Sequence, residues 1–259
     1  MTARARPALV YVLMVVVGAA AFLYPFWLPS DAAVGQAHAG DAPLWAAAVS
    51  ALVVVAVGLE VRRGTMNGAM VSVLGVLAAS AGLLRLVDLP GNNAGIFFLA
   101  ILGGVAFGAR FGLLLGITAM AVSAFVTGGL GPWLPFQMLA LGWLGGLAGW
   151  LGTMTQRLPA RTEVVLVAVY GWVAGFLFGA VMNLWAWPFL QGDGPTLWRP
   201  GLGITETAEH YWSYYVATSF AWDAAGALFN ALLILVTGVA LLRTLRRFAH
   251  RLEPAVELV

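Results

Sequence analysis

Eight long runs of apolar residues constrain this 259-residue chain more than any other feature. They cover residues 8–28, 44–61, 67–86, 95–109, 112–128, 134–153, 163–189 and 214–242. A helix needs about 20 apolar residues, within a range of about 17–25, to cross the hydrocarbon core of a bilayer. Only 9% of the residues are charged, against about 25% in a soluble domain. The sequence therefore predicts an all-α, polytopic membrane bundle of about eight spans, in which the short fourth and fifth form either a tight helical hairpin or two tilted helices.

The arginines predict how the bundle lies in the membrane. All 13 basic residues are Arg, and only Arg85 and Arg199 fall on one side of the predicted spans. Cytoplasmic loops carry the excess of basic residues, so both termini are predicted to be cytoplasmic in a bacterial plasma membrane. Arg4 and Arg6 before an apolar run also resemble a secretory signal. The run is longer than the core of about 7–15 residues in such signals, which favours an uncleaved first span.

The composition excludes several kinds of chemistry. The chain has no Cys, which excludes a disulfide framework, a thiolate metal site and a Cys nucleophile. It has no Lys either, so it has no Schiff-base or phosphate-loop lysine. No metal, cofactor or hydrolase motif stands in the sequence, and no dense basic face indicates nucleic-acid binding. We therefore expect no catalytic residues, no cofactor, no metal and no nucleic-acid partner.

Polar residues in the spans and outer loops predict a ligand pocket that opens outward. Ionisable residues within a span are costly and usually face the bundle interior or a cavity. Asp223 is predicted about nine residues into the last span, or about 14 Å deep at 1.5 Å per residue. The predicted pocket residues are Arg85, Asp88, Asn92, Asn93, Trp133, Gln137, Asn183, Trp187, Tyr215 and Asp223.

Each of these residues also has a structural interpretation. Asp223 is an obvious partner for Arg85 in a structural ion pair. Asn183 and Asn230 are suited to interhelical hydrogen bonds. The aromatic residues near the span ends are typical of anchors at the membrane interface.

Small residues follow one face of the third span. Gly75 with Ala79, and Ala78 with Gly82, form two overlapping pairs at four-residue spacing. Such spacing lets helix backbones approach closely. The face therefore predicts either internal packing or a docking surface for another membrane protein.

From residue 67 onward the chain resembles a substrate-binding S component of an energy-coupling factor (ECF) transporter. The stretches that carry the resemblance are Ala78-Ala79-Ser80-Ala81, Asp88-Leu89-Pro90, the glycine-rich turn at 103–112, Gly131-Pro132-Trp133-Leu134-Pro135-Phe136-Gln137-Met138, the glycine-rich run at 142–149, and Ser219-Phe220-Ala221-Trp222-Asp223 with Asn230. The Gly-Pro-Trp stretch is the most specific of them. It resembles members that take cobalamin or related precursors.

The resemblance implies a transport subunit rather than an enzyme. It implies a six-helix substrate-binding core at 66–259, preceded by two additional helices at 1–65. A vitamin or precursor would bind under the outer loops, and Gly75, Ala78, Ala79 and Gly82 would dock a transmembrane coupling subunit. Two cytoplasmic ATPase subunits would supply the energy.

Two other functions compete with this interpretation. A membrane enzyme acting on a lipid or isoprenoid would use Asp223 as its acid and Arg85 to orient an anionic group. A membrane scaffold would use only the small-residue faces, which leaves the outward polar residues without a role.

Overall fold

The computed structural model describes residues 5–28, 33–87 and 94–252 of the chain. Over these ranges the chain is helical, and its nine α-helices are α1 (Ala5–Leu23), α2 (Ala42–Arg62), α3 (Gly68–Leu84), α4 (Ala94–Phe107), α5 (Ala109–Thr127), α6 (Leu134–Thr155), α7 (Ala160–Ala186), α8 (Ile204–Thr218) and α9 (Phe220–Leu252). Short 3-10 segments follow α1 at Tyr24–Phe26, precede α2 at Val34–Gln36 and extend α7 at Trp187–Phe189.

The apolar helices match the predicted spans. Among the described helices, α1 with its extension, α2, α5, α6, α7 and α9 form six segments long and apolar enough to cross a membrane. The helices α3 and α4 are apolar but shorter. The predicted all-α membrane bundle is confirmed.

The last predicted span is wrong at its outer end. The segment 204–218, predicted as outer loop and the start of that span, forms the separate helix α8. Ser219 ends α8 with φ −128°, and α9 begins at Phe220. The Asn183 amide donates a hydrogen bond to the Ser219 hydroxyl over 2.9 Å and accepts one from it over 3.1 Å, which fixes the break. Asp223 therefore lies in the first turn of α9, not about 14 Å into a span.

Glycine contacts bring α4, α5 and α6 together. Gly108, at φ 92°, is the single residue between α4 and α5, which form a tight hairpin. A Cβ on Gly112 would lie 2.2 Å from the Gly145 carbonyl oxygen, and one on Gly145 would lie 2.2 Å from that of Gly112. The backbones of α5 and α6 therefore touch, in agreement with the packing that small residues permit in membranes.

A second glycine row joins α7 to α9. Gly171, Gly175 and Gly179 stand at four-residue spacing on α7. They face Asn230, Ala227 and Asp223 respectively, so the two helices run antiparallel in close contact. The Asn230 amide donates to the Gly171 carbonyl oxygen over 2.7 Å, which is the interhelical hydrogen bond expected of Asn230.

The N-terminal hairpin of α1 and α2 packs on this core. Both helices contact α6, and α1 also contacts α7. The Phe22 ring lies 5.1 Å from the Phe136 ring, edge to face. Gly18 leaves room for the Trp143 ring, which a Cβ at that position would meet at 2.4 Å.

Two ion pairs tie the helices at the end that the arginines predict to be cytoplasmic. The Arg246 guanidinium donates two hydrogen bonds to the Glu163 carboxylate, over 2.6 and 2.7 Å. Arg110 donates to Glu60 over 3.0 Å and so joins α5 to α2. Both acids are buried, and the sequence pattern pointed to neither pair.

Candidate functional site

The predicted pocket residues separate into three groups in the structure. Asp88, Asn92 and Asn93 lie outside the described residues. Arg85 stands apart from the other predicted residues, at the end of α3. The remaining six lie at the outer ends of α6, α7 and α9 and on α8.

Arg85 does not pair with Asp223. Its guanidinium donates to the Ser123 hydroxyl over 3.2 Å and approaches the Met120 sulfur at 3.6 Å, both on α5. Within the described part of the chain, Arg85 has no carboxylate partner. Its role there is to tie the outer end of α3 to α5, and the predicted structural ion pair is wrong.

Asp223 and Asn183 form one polar cluster with α8. The Tyr215 hydroxyl donates to Asp223 Oδ2 over 3.0 Å, and Asn183 bonds Ser219 one turn away. The carboxylate lies directly against Gly179, whose missing side chain provides the space. Asp223 is half-buried and has one described donor, although a carboxylate offers about four acceptor sites. The cluster therefore retains unused accepting capacity.

The tyrosines of α8 hold that helix against α7. The Tyr211 hydroxyl donates to the Ala180 carbonyl oxygen, and Tyr215 reaches the Phe176 carbonyl oxygen at 3.5 Å. Burial, followed by the nearby charge of Asp223, raises the pKa of Tyr215 well above its usual value. Both phenols therefore remain protonated donors at neutral pH.

Trp133 and Gln137 lie at the start of α6. The Trp133 side chain is exposed, its Nε1 donates to the Gly129 carbonyl oxygen over 3.3 Å, and its ring meets Trp185 edge-on at 6.2 Å. Gln137 is half-buried one turn further along. The Trp133 side chain is therefore open to ligand or lipid, and that of Gln137 is partly so.

Trp187 is a packing residue of the outer loop. Its side chain is buried, and Nε1 donates to the Thr196 carbonyl oxygen over 3.0 Å. Its ring contacts Tyr211 at 5.0 Å and Phe26 at 5.9 Å. Trp187 therefore joins the outer loop to α8 and to the segment after α1.

A buried histidine, His38, was not among the predicted site residues. His38 lies in the loop of the N-terminal hairpin, and its side chain is fully enclosed. The Asp41 carboxylate accepts from Tyr24 and Trp45, each over 2.6 Å, and lies 3.0 Å from His38 Nδ1. Burial alone would raise the pKa of Asp41, but the hydrogen bonds from Tyr24, His38 and Trp45 hold that pKa below its usual value. The signal in the sequence was a His three residues before an Asp in an otherwise small-residue loop.

The four predicted docking residues face two directions. Ala78 and Gly82 are buried, and a Cβ on Gly82 would meet Val122 at 2.9 Å and the Ser123 backbone nitrogen at 3.0 Å on α5. Gly75 is exposed with nothing near its missing side chain, and Ala79 is half-buried. One pair therefore packs internally, and the other borders an open face of α3.

Two cavities lie away from the polar cluster. One of about 750 Å³ runs between α1 and the α5–α6 pair, is lined mostly by apolar side chains and includes Tyr11, Arg110 and Trp143. One of about 320 Å³ lies among Phe26, Trp198 and the start of α8.

Comparison with known families identifies the class of protein. The family described as ECF transporter, substrate-specific component, matches residues 69–238 of this chain. The chain belongs to that family, which supplies the substrate-capture subunit of ECF importers. No curated protein and no solved structure gave a match.

Proposed function

We propose that the chain captures a vitamin or vitamin precursor at the outer end of its helical bundle. The observation that carries the proposal is the polar cluster of Asp223, Asn183 and Ser219 at the outer ends of α7 and α9. Trp133 and Gln137, at the outer end of α6, are the further contacts that we propose for the ligand. Carboxylate and amide groups that retain hydrogen-bonding capacity, next to aromatic faces, are suited to a polar ligand with a flat or macrocyclic body. Residues 66–259 form the substrate-binding core in this proposal, and residues 1–65 are an addition to it.

Cobalamin or a related precursor is the ligand that we favour. The Gly131-Pro132-Trp133 stretch resembles members that take such molecules, and the outer segment 190–218 is long and aromatic. Corrinoids carry carboxamides around their ring, and these groups pair well with Asn183 and Gln137. This choice of ligand is supported by chemical compatibility, so riboflavin, thiamine and biotin are tested beside cyanocobalamin.

The energy for uptake would come from other subunits. We propose that a transmembrane coupling subunit docks on the open face of α3 at Gly75 and Ala79, and that two cytoplasmic ATPases drive the complex in a bacterial plasma membrane. Close helix approach at small residues supports this location. The neighbouring Ala78 and Gly82 would hold α3 in place from the inside.

A binding assay with purified protein tests the proposal. The chain in lipid nanodiscs is titrated calorimetrically with cyanocobalamin, riboflavin, thiamine and biotin, and its ATPase activity is measured in parallel. We expect one ligand per chain at micromolar affinity or tighter, and no ATP hydrolysis by the chain alone. Binding of none of the four at micromolar concentration would contradict the proposal.

A further inference from the structure

Four aromatic rings, one from α6, one from the segment after α1 and two from α7 with its extension, enclose the His38 imidazole. Ring centroids lie at 4.5 Å for Phe136, 5.0 Å for Phe189, 5.7 Å for Tyr24 and 5.9 Å for Trp185. The N-terminal hairpin therefore inserts one side chain between the outer ends of α6 and α7. His38 adopts φ 56°, a left-handed conformation that is uncommon for a residue with a side chain.

The partners of Nδ1 fix the proton on the imidazole. An ionised carboxylate only accepts hydrogen bonds, and the depressed pKa of Asp41 keeps that carboxylate ionised. Nδ1, 3.0 Å from Asp41 Oδ2, is therefore the donor. In the neutral ring this leaves Nε2 with its lone pair, the arrangement in which a histidine offers an acceptor or ligand atom.

Two buried polar atoms at this place have no protein partner. Neither His38 Nε2 nor Trp185 Nε1 makes a hydrogen bond in the described part of the chain. In the neutral imidazole the first is an acceptor, the second is a donor, and the two rings stack at an interplanar angle of 27°. Buried polar groups in native proteins are nearly always paired with protein, water or ligand. An unpaired acceptor and an unpaired donor on rings whose centroids lie 5.9 Å apart indicate a missing group that carries the complementary pair.

We propose that His38 Nε2 and Trp185 Nε1 bind the captured substrate through a group in which an N–H donor stands beside a carbonyl or ring-nitrogen acceptor. This inference rests on the proposed function and extends the site to the N-terminal hairpin. Trp133 is exposed and meets Trp185 edge-on, so these two rings connect the surface of the protein with the enclosed imidazole. Two sources offer such a group: the carboxamides of a corrinoid, and a ring edge such as those of riboflavin, thiamine or biotin.

Conservative variants separate this contact from a structural role. His38→Asn keeps a donor near the Nδ1 position, tolerates positive φ and removes the distal acceptor. Trp185→Phe removes only the donor and part of the ring. Trp143→Phe is the matched control, because Trp143 Nε1 is also buried and unpaired but its ring packs against Phe22 and Gly18 of α1.

The measurement is calorimetric affinity for the four vitamins, with the melting temperature of each variant. We expect His38→Asn and Trp185→Phe each to weaken binding at least tenfold, and Trp143→Phe to leave it unchanged. Loss confined to cyanocobalamin identifies the carboxamide source, and loss for one of the others identifies a ring edge. Unchanged affinity in both variants overturns the inference, and a lowered melting temperature would then assign the two atoms to a buried water or to packing. If the wild-type protein binds none of the four, the proposed function fails and this inference fails with it.

Discussion

The Glu163 carboxylate accepts three side-chain hydrogen bonds at the predicted cytoplasmic end. Arg246 binds both of its oxygens, and the Thr155 hydroxyl donates to it over 3.0 Å. The side chain is almost fully buried, so these donors replace the water that it lost on folding. The pair joins α6, α7 and α9 at one point.

We expect Glu163→Gln to destabilise the protein by about 3 kcal/mol, because breaking a buried ion pair leaves the partner charge without compensation. Glu209→Gln, at an exposed position on α8, is the control and should have little effect. Thermal unfolding in the same detergent measures both. Equal melting temperatures for the two variants would show that the pair contributes nothing.

Asp41 should make part of the protein's stability depend on pH. Because its pKa is lower in the folded protein than in the unfolded chain, its ionised form stabilises the fold above the unfolded pKa of about 4. That stabilisation is lost as the pH falls through the folded pKa. We therefore expect Asp41→Asn to melt below the wild type at pH 7, with the difference shrinking as the pH falls below about 4. A difference independent of pH would contradict this role.

At the scale of helices, two glycines of α3 have different surroundings. Gly82 lies against the α5 backbone, whereas Gly75 faces open space. We expect Gly82→Leu to lower the melting temperature, since its side chain would collide with Val122 and Ser123. Gly75→Leu should leave the melting temperature and ligand affinity unchanged but abolish uptake by the complete transporter.

Gly58→Leu on α2 controls for a leucine added to any exposed helix face, because nothing lies near that glycine either. Vitamin uptake by cells and co-purification of the coupling subunit are measured for all three variants. Normal uptake with Gly75→Leu would exclude this face of α3 as the docking surface.

Helix length and composition were enough to predict the apolar helices, because a bilayer fixes how many apolar residues a span needs. The break at Ser219 was missed, since Tyr214, Tyr215 and Val216 continue the apolar pattern into α9. What ends α8 there is the hydrogen bonding with Asn183 on another helix, which no local pattern contains. The glycine row on α7 was present in the sequence at four-residue spacing and indicates a close helix contact there, although the spacing does not say that α9 is the partner.

At the scale of the whole molecule, some site residues could be predicted from the sequence, whereas the surroundings of others depend on the fold. The sequence predicted Asp223, Asn183 and Gln137 as site residues because polar residues are rare in a chain this apolar, and that assignment stays a prediction. It could not place Arg85 against Ser123 or His38 among aromatic rings, because both depend on which helices become neighbours. The two parts of the candidate site, the Asp223 cluster and the His38 contact, lie at the same outer end and reach α6, α7, α9 and the N-terminal hairpin.

The affinity of Asp223→Asn tests most directly whether this end captures a substrate. The variant keeps the shape of the side chain and an oxygen for the Tyr215 hydroxyl, but removes the charge. Loss of a charge-assisted hydrogen bond of about 1.5–3 kcal/mol predicts an affinity lower by about tenfold to a hundredfold, with little change in melting temperature. Asp193→Asn, an exposed outer carboxylate paired with Arg199, is the control and should bind as the wild type does. Unchanged affinity of Asp223→Asn together with a lowered melting temperature would show that Asp223 only holds the helices together, and would contradict the site.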